Sequence, residues 1–498
     1  MNMIFKICVY SVLALCCASY QLQAVRYASF IPALFGESTI RRTIKLSSLN
    51  QSAPSNGAMY TITSSGLYHV ADDLLVAPIN AEVSVIAIAA SNVVIFFDNH
   101  VMSQSASSTN RITGISLAPG VANVALISGI VSDIKGTGIA IPASTINITL
   151  DNMLVDKCTL LGINITGAKN VTLENTTVTR CDGSDETAVD GAVGIKIIDS
   201  THVVCNQVTS NAHVSTISPS IGILINHSKE CWFNDTISSD NQGTAAYGFA
   251  LTSTSTSCHF NRCTAANNTS SVDVCAGFFC SYSHANEFNN CMAPCQIAAS
   301  NNCYGFLFDH ATTTLARGCV TRSNKAEGND DHCYGFCSQN GTANTFEECS
   351  AIGNQASHCA VGIGLLFNER NTVIRSCTST ANTAGEHAYG ILLGAENAID
   401  LPERCTIDGN TISGNTGSVK QYGIRDFRLP SSCYYTQNIA YGHGSIKPSS
   451  KNLSDTNKMN YMINLSDAGQ SNRIFKEGSS EEIGKLQRQV DLANISIY

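Results

Sequence analysis

Short stretches in which apolar and polar residues alternate, each carrying a glycine, recur through the middle of the chain. They begin as Thr113-Gly114-Ile115-Ser116-Leu117, Thr137-Gly138-Ile139-Ala140-Ile141, Leu161-Gly162-Ile163-Asn164-Ile165, Val193-Gly194-Ile195-Lys196-Ile197 and Ile221-Gly222-Ile223-Leu224-Ile225. The flanking positions then turn aromatic, in Tyr247-Gly248-Phe249, Ala276-Gly277-Phe278, Tyr304-Gly305-Phe306 and Tyr334-Gly335-Phe336. Val361-Gly362-Ile363, Tyr389-Gly390-Ile391 and Tyr422-Gly423-Ile424 close the series. Period-two alternation makes each stretch a strand with one face turned inward. Neighbouring glycines of the series lie 24 to 33 residues apart, a recurrence that marks a solenoid with one coil per unit.

A second short strand follows in each unit, as in Asn170-Val171-Thr172-Leu173, His259-Phe260-Asn261, Glu287-Phe288-Asn289 and Thr345-Phe346-Glu347. One coil cannot bury its own apolar face, but coils stacked about 4.8 Å apart enclose a continuous core. The expectation is an all-β, right-handed, single-stranded parallel β-helix of about 12 or more coils over residues 57–445. A leucine-rich repeat lacks its Leu framework here, and a helical solenoid lacks helical periodicity. The repeat glycines are expected at bends where a side chain would strike the next coil.

Two columns support the stacking. Cys263, Cys291, Cys319, Cys349 and Cys377 recur at coil spacing and are expected to line the interior as reduced thiols, because parallel side chains miss the torsion of a disulfide. Asn241, Asn268, Asn324, Asn354, Asn382 and Asn415 follow the second strand, where asparagine takes left-handed geometry and bonds its equivalent in the next coil. Residues 25–56 are expected to cap the first coil. In the tail, 446–498, Ile483, Leu486 and Val490 fall at helical spacing behind Glu481 and Glu482, predicting a short helix that covers the last coil.

Composition narrows the class. Charged residues are only 13% of the chain, which favours a β-rich protein over a helical one, and the net charge of −9 without basic clusters argues against nucleic acid as a partner. Lys6, an apolar run from Ile7 to Ala18 and a small residue at Ala24 predict a secretory signal over residues 1–24. The run is too short to span a bilayer, so no transmembrane segment is expected after cleavage. The product is expected to be secreted, periplasmic or at the cell surface.

The chain resembles the pectate-lyase-like right-handed parallel β-helix superfamily from Gly57 to Tyr435. Its opening, Ile62-Thr63-Ser64-Ser65-Gly66-Leu67-Tyr68-His69-Val70 and then Ser91-Asn92-Val93-Val94-Ile95-Phe96-Phe97-Asp98, is similar to the first coils of exported β-helix-repeat proteins. Polysaccharide lyases of that superfamily hold calcium with carboxylates, and Asp182, Asp185, Glu186 and Asp190 cluster before Gly194. No matching Lys or Arg pair accompanies them. Gly442-His443-Gly444 and the paired Asp330 and Asp331 resemble polygalacturonase motifs, but they lie four coils apart, and an inverting glycosidase needs its carboxyls within about 10 Å.

His332, His358 and His387 each precede a repeat glycine by three or four residues, a column suited to a borderline metal; copper delivery by exported β-helix proteins is a precedent at the level of fold. Alternation turns the neighbouring cysteines away and leaves no clear fourth ligand. Tyr247, Tyr304, Tyr334, Tyr389 and Tyr422 form a stripe that stacks sugar rings if exposed and packs if covered. Three functions stay open: noncatalytic recognition of polysaccharides or host-surface glycans, as in an adhesin; a polysaccharide lyase, glycoside hydrolase or epimerase; and metal binding. A trimer also stays open.

Overall fold

A computed structural model describes residues 43–47, 58–77, 83–183, 191–395, 400–427, 433–441, 460–465, 472–475 and 495–497. Among them every regular element is a strand. One strand per coil enters a fourteen-stranded sheet, stacked in chain order from Ala58–Ile62 to Lys420–Asp426. The strands between them pair in a second, larger sheet that wraps the opposite side. From Gln242–Gly243 onward a two-residue strand closes each coil and builds a third sheet of seven. The coils pair in parallel, and parallel crossovers of this kind are right-handed. The molecule is therefore a right-handed parallel β-helix.

Register keeps like side chains in line. The column that starts as Ile115, Ile139, Ile163, Ile195 and Ile223 becomes Phe249, Phe278, Phe306 and Phe336, then returns to Ile363 and Ile391. Across the lumen Phe233, Phe260 and Phe288 form a facing column. Rings within a column stack nearly parallel at 4.5–5.0 Å, the spacing that the hydrogen-bonded coils impose. Between columns they meet edge to face, with Phe249 and Phe260 at 5.6 Å and 81°, an arrangement that suits the ring quadrupoles.

The repeat glycines sit inside strands. Gly277 and the next residue, Phe278, both face the lumen, so the alternation slips there. A Cβ on Gly277 would lie 2.7 Å from the Ala293 side chain across the lumen and 2.8 Å from the Gly305 carbonyl of the next coil. The clash is thus with the opposite wall as well as the neighbouring coil.

The asparagine ladder forms, but the left-handed residue is the one before it. Asp240, Asn267, Ser323 and Ala381 take φ of 55–57° and swing the chain round. Each following asparagine then points inward, fully buried. Asn241 Nδ2 donates to Asn268 Oδ1 at 2.7 Å, Asn354 to Asn382 and Asn382 to Asn415 at 2.8 Å, and Gln296 fills the one coil without asparagine. Upstream the same place is held by Cys158, Cys181 and then His213, whose Nδ1 accepts from the Cys181 N–H.

All nineteen cysteines from Cys158 to Cys433 are free, and all but Cys295 are buried. In the expected interior column each thiol donates to a carbonyl one coil back: Cys263 to Phe233, Cys291 to Phe260, Cys319 to Phe288, at 3.3–3.4 Å. Burial pushes the Cys319 thiol well above its ordinary range.

Strand pairing continues beyond both ends of the glycine repeat. Thr43–Leu46, inside the segment read as a cap, pairs in parallel with Gly66–Val70, so stacking starts before residue 57. Asn460–Leu465 pairs with Tyr434–Tyr441, and Asn472–Phe475 and Ile495–Ile497 continue that sheet, so the described parts of the tail are strands. The signal at 1–24, the helix stripe at Ile483, Leu486 and Val490, and Gly442-His443-Gly444 lie outside the described residues.

Candidate functional site

The outer face of the fourteen-stranded sheet carries the tyrosine stripe. Tyr304, Tyr334 and Tyr389 are only 5%, 4% and 3% exposed, while Tyr247 and Tyr422 are half-buried. Tyr304 stacks on Tyr334 at 5.2 Å and Tyr389 on Tyr422 at 5.8 Å, beside Leu307, Cys337 and Leu392. Rings so covered do not offer an open platform. Burial pushes the Tyr304 and Tyr334 hydroxyls well up, with Asn302 Nδ2 donating to Tyr304 and Tyr334 touching His332 Nδ1 at 3.3 Å.

The histidine column assembles at the corner that enters this sheet. Register aligns His332 with Cys359 and then His387, and His358 comes one residue before Cys359. Its ring nevertheless fits between the other two, 5.2 Å from each and nearly edge-on. Cys333 faces the core, as alternation requires. Sequence reasoning missed Glu386: its Oε2 lies 3.1 Å from His358 Nδ1 and 3.8 Å from His387 Nε2. No spacing rule flags Glu386, because it joins the column only through the turn that carries it. Burial, then the neighbouring His358 and His387, hold His332 down to about 4.

The acidic candidates do not converge. Asp185, Glu186 and Asp190 lie outside the described residues. Asp182 bridges Val214, and five coils, roughly 24 Å, separate it from the turn holding Asp330 and Asp331. That distance rules out their acting as one pair across a glycosidic bond. Asp331 instead sits beside the histidine corner, with its carbonyl accepting from Cys359 N–H.

A more open surface lies on the opposite edge, where each coil leaves the fourteen-stranded sheet for the larger one. Trp232 is 41% exposed and lies flat on His259, with centroids 4.0 Å apart and planes at 15°. His259 Nδ1 in turn meets Glu287 at 3.2 Å, and the three residues are one register column. Tyr282, 58% exposed, repeats the motif: it stacks on His310 at 4.4 Å, and His310 meets Asp309 at 3.0 Å. Gln339 also donates to Asp309. Coil spacing sets the two aromatic faces about 10 Å apart along the axis. Trp232 opens the second strand of its coil and Tyr282 lies in the turn before one, positions at which no aromatic recurs from coil to coil, so the periodicity did not single them out.

No protein-family model matches the sequence, and no curated protein does. Among solved structures, the chain is similar to a periplasmic alginate epimerase, at 11% identity with 80% of this chain and 84% of that one covered and a TM-score of 0.40. It is similar to a tailspike protein of an E. coli bacteriophage in complex with a hexasaccharide, at 9% identity over 85% and 74%, TM-score 0.38. A pectate lyase aligns at 11% identity over 59% and 79%, TM-score 0.35. The parallel β-helix of this chain rests on the register of its own coils.

Proposed function

We propose that the protein is an exported, noncatalytic β-helix that binds glycan chains along the edge bearing Trp232 and Tyr282. The observation that carries this reading is the pair of exposed aromatic faces, each stacked on an imidazole one coil on that meets a carboxylate, Glu287 behind Trp232 and Asp309 behind Tyr282. A flat ring held rigid by stacking presents an apolar face for the C–H side of a sugar ring at little entropic cost, and the adjacent carboxylates and amides accept or donate to its hydroxyls. The spread of the acidic candidates over separate coils favours binding over catalysis.

The test is a glycan and polysaccharide screen on the mature protein, followed by Trp232→Ala and Tyr282→Ala. Each replacement is expected to weaken binding at least about tenfold, as loss of an aromatic anchor does, with the far-UV spectrum unchanged. Binding untouched by both replacements, or release of unsaturated or reducing ends from the bound polymer, would overturn it.

A further inference from the structure

We propose that His358, Glu386 and His387 bind one divalent cation of the zinc class on the edge of the rod opposite the exposed aromatics. Their ligand atoms all lie within 4.8 Å of one another. Zinc bonds to nitrogen and carboxylate oxygen are about 2.0–2.2 Å, so in a tetrahedral site the ligand atoms stand about 3.3–3.5 Å apart. The separations of 3.1 Å from His358 Nδ1 to Glu386 Oε2 and 3.8 Å from Glu386 Oε2 to His387 Nε2 bracket that value. Small side-chain rotations bring all three onto one ion.

The backbone holds the set in place. The His387 N–H donates to the His358 carbonyl at 2.8 Å, so the two imidazoles ride on one inter-coil hydrogen bond. His387 Nδ1 is buried and makes no hydrogen bond among the described residues, so no protein partner fixes that ring's tautomer. Two imidazoles and one carboxylate suit zinc rather than calcium, which takes six or more oxygens. Three protein ligands leave a fourth position for water. Lys420, in register with His387 one coil on, opposes the cation, while Asp330 at the same corner offsets it.

The experiment is calorimetric titration of tag-free mature protein with zinc chloride, with calcium chloride as contrast. One zinc per chain is expected, with no calcium uptake at this site. His358→Ala and Glu386→Gln should each weaken zinc binding more than tenfold, the loss that even outer-shell changes bring. His284→Ala, an exposed histidine on the opposite edge, should leave it unchanged. Glu386 is half-exposed, so Glu386→Gln should keep the parent far-UV spectrum and isolate the loss of ligand. Absence of saturable zinc binding, parental affinity in both His358→Ala and Glu386→Gln, or an equal drop in His284→Ala would each overturn the proposal. Glycan binding is read separately, so either proposal can fail alone.

Discussion

The coils from Ile112 to Ile198 and those from Ser220 to Leu393 share one backbone plan but fill it differently. In the first group the lumen is aliphatic, and the outer face of the fourteen-stranded sheet is largely small or polar, with Thr113, Ser116, Thr137, Asn164 and Lys196. In the second the lumen holds two phenylalanine columns, an asparagine ladder and most of the thiols, and the outer face turns apolar with Leu224, Phe279, Leu307 and the tyrosines. Coil geometry is therefore set by alternation and the repeat glycine, while the contents vary so long as volume is kept.

Volume matching shows most clearly at one coil. Ala316 stands where the neighbouring coils have Phe288 and Phe346, and Phe308 stands where they have Cys280 and Ser338. The displaced ring packs 5.7 Å from Phe288 and 5.2 Å from Phe346, filling the gap from the other wall. Phe308→Cys alone should cost about 3 kcal/mol through the cavity it leaves. Ala316→Phe alone should cost about 1–3 kcal/mol by overpacking. Together they copy the Phe288 and Cys280 pair, and the double variant should unfold in urea within about 1 kcal/mol of the parent; strict additivity would break the volume argument.

The boundary between the two groups runs through His213, the residue just before the asparagine ladder. Burial pulls its pKa down to about 3, so the folded state refuses a proton that the unfolded chain takes up near its ordinary 6.5. Stability should thus be complete above pH 6.5 and fall by about 1.4 kcal/mol per unit as pH drops toward 3. His213→Asn extends the ladder by one coil and should remove that slope, a gain of about 3 kcal/mol over the parent at pH 4.5 with little change at pH 7. Parallel pH profiles for the two proteins would contradict the assignment. The smallest effect belongs to the aliphatic coils, where Ile163→Val should shift the urea midpoint by only about 1 kcal/mol.

Much of this was legible in the sequence because a solenoid writes its register as a period. Glycine spacing located the strands, and Cys263 to Cys377 announced the interior column. The tyrosine stripe was visible but its burial was not, since alternation says which residues share a face and nothing about how closely they pack there. His358 was found by spacing, yet its partner Glu386 was not, because a turn residue obeys no strand period. Trp232 and Tyr282 occur once each in their columns, so they leave no repeat to detect. The left-handed position was misassigned by one residue because Asp240, Asn267, Ser323 and Ala381 share no side-chain chemistry.

The side-chain ladders also have a direction. Every asparagine amide from Asn324 to Asn382 hands its proton toward the C-terminal end, and at Asn415 the donor has no acceptor among the described residues. The length of this rod is accordingly a countable trait: tandem duplication of one whole repeat adds a rung without disturbing those below it, and a gene that gains or loses such units changes reach rather than fold.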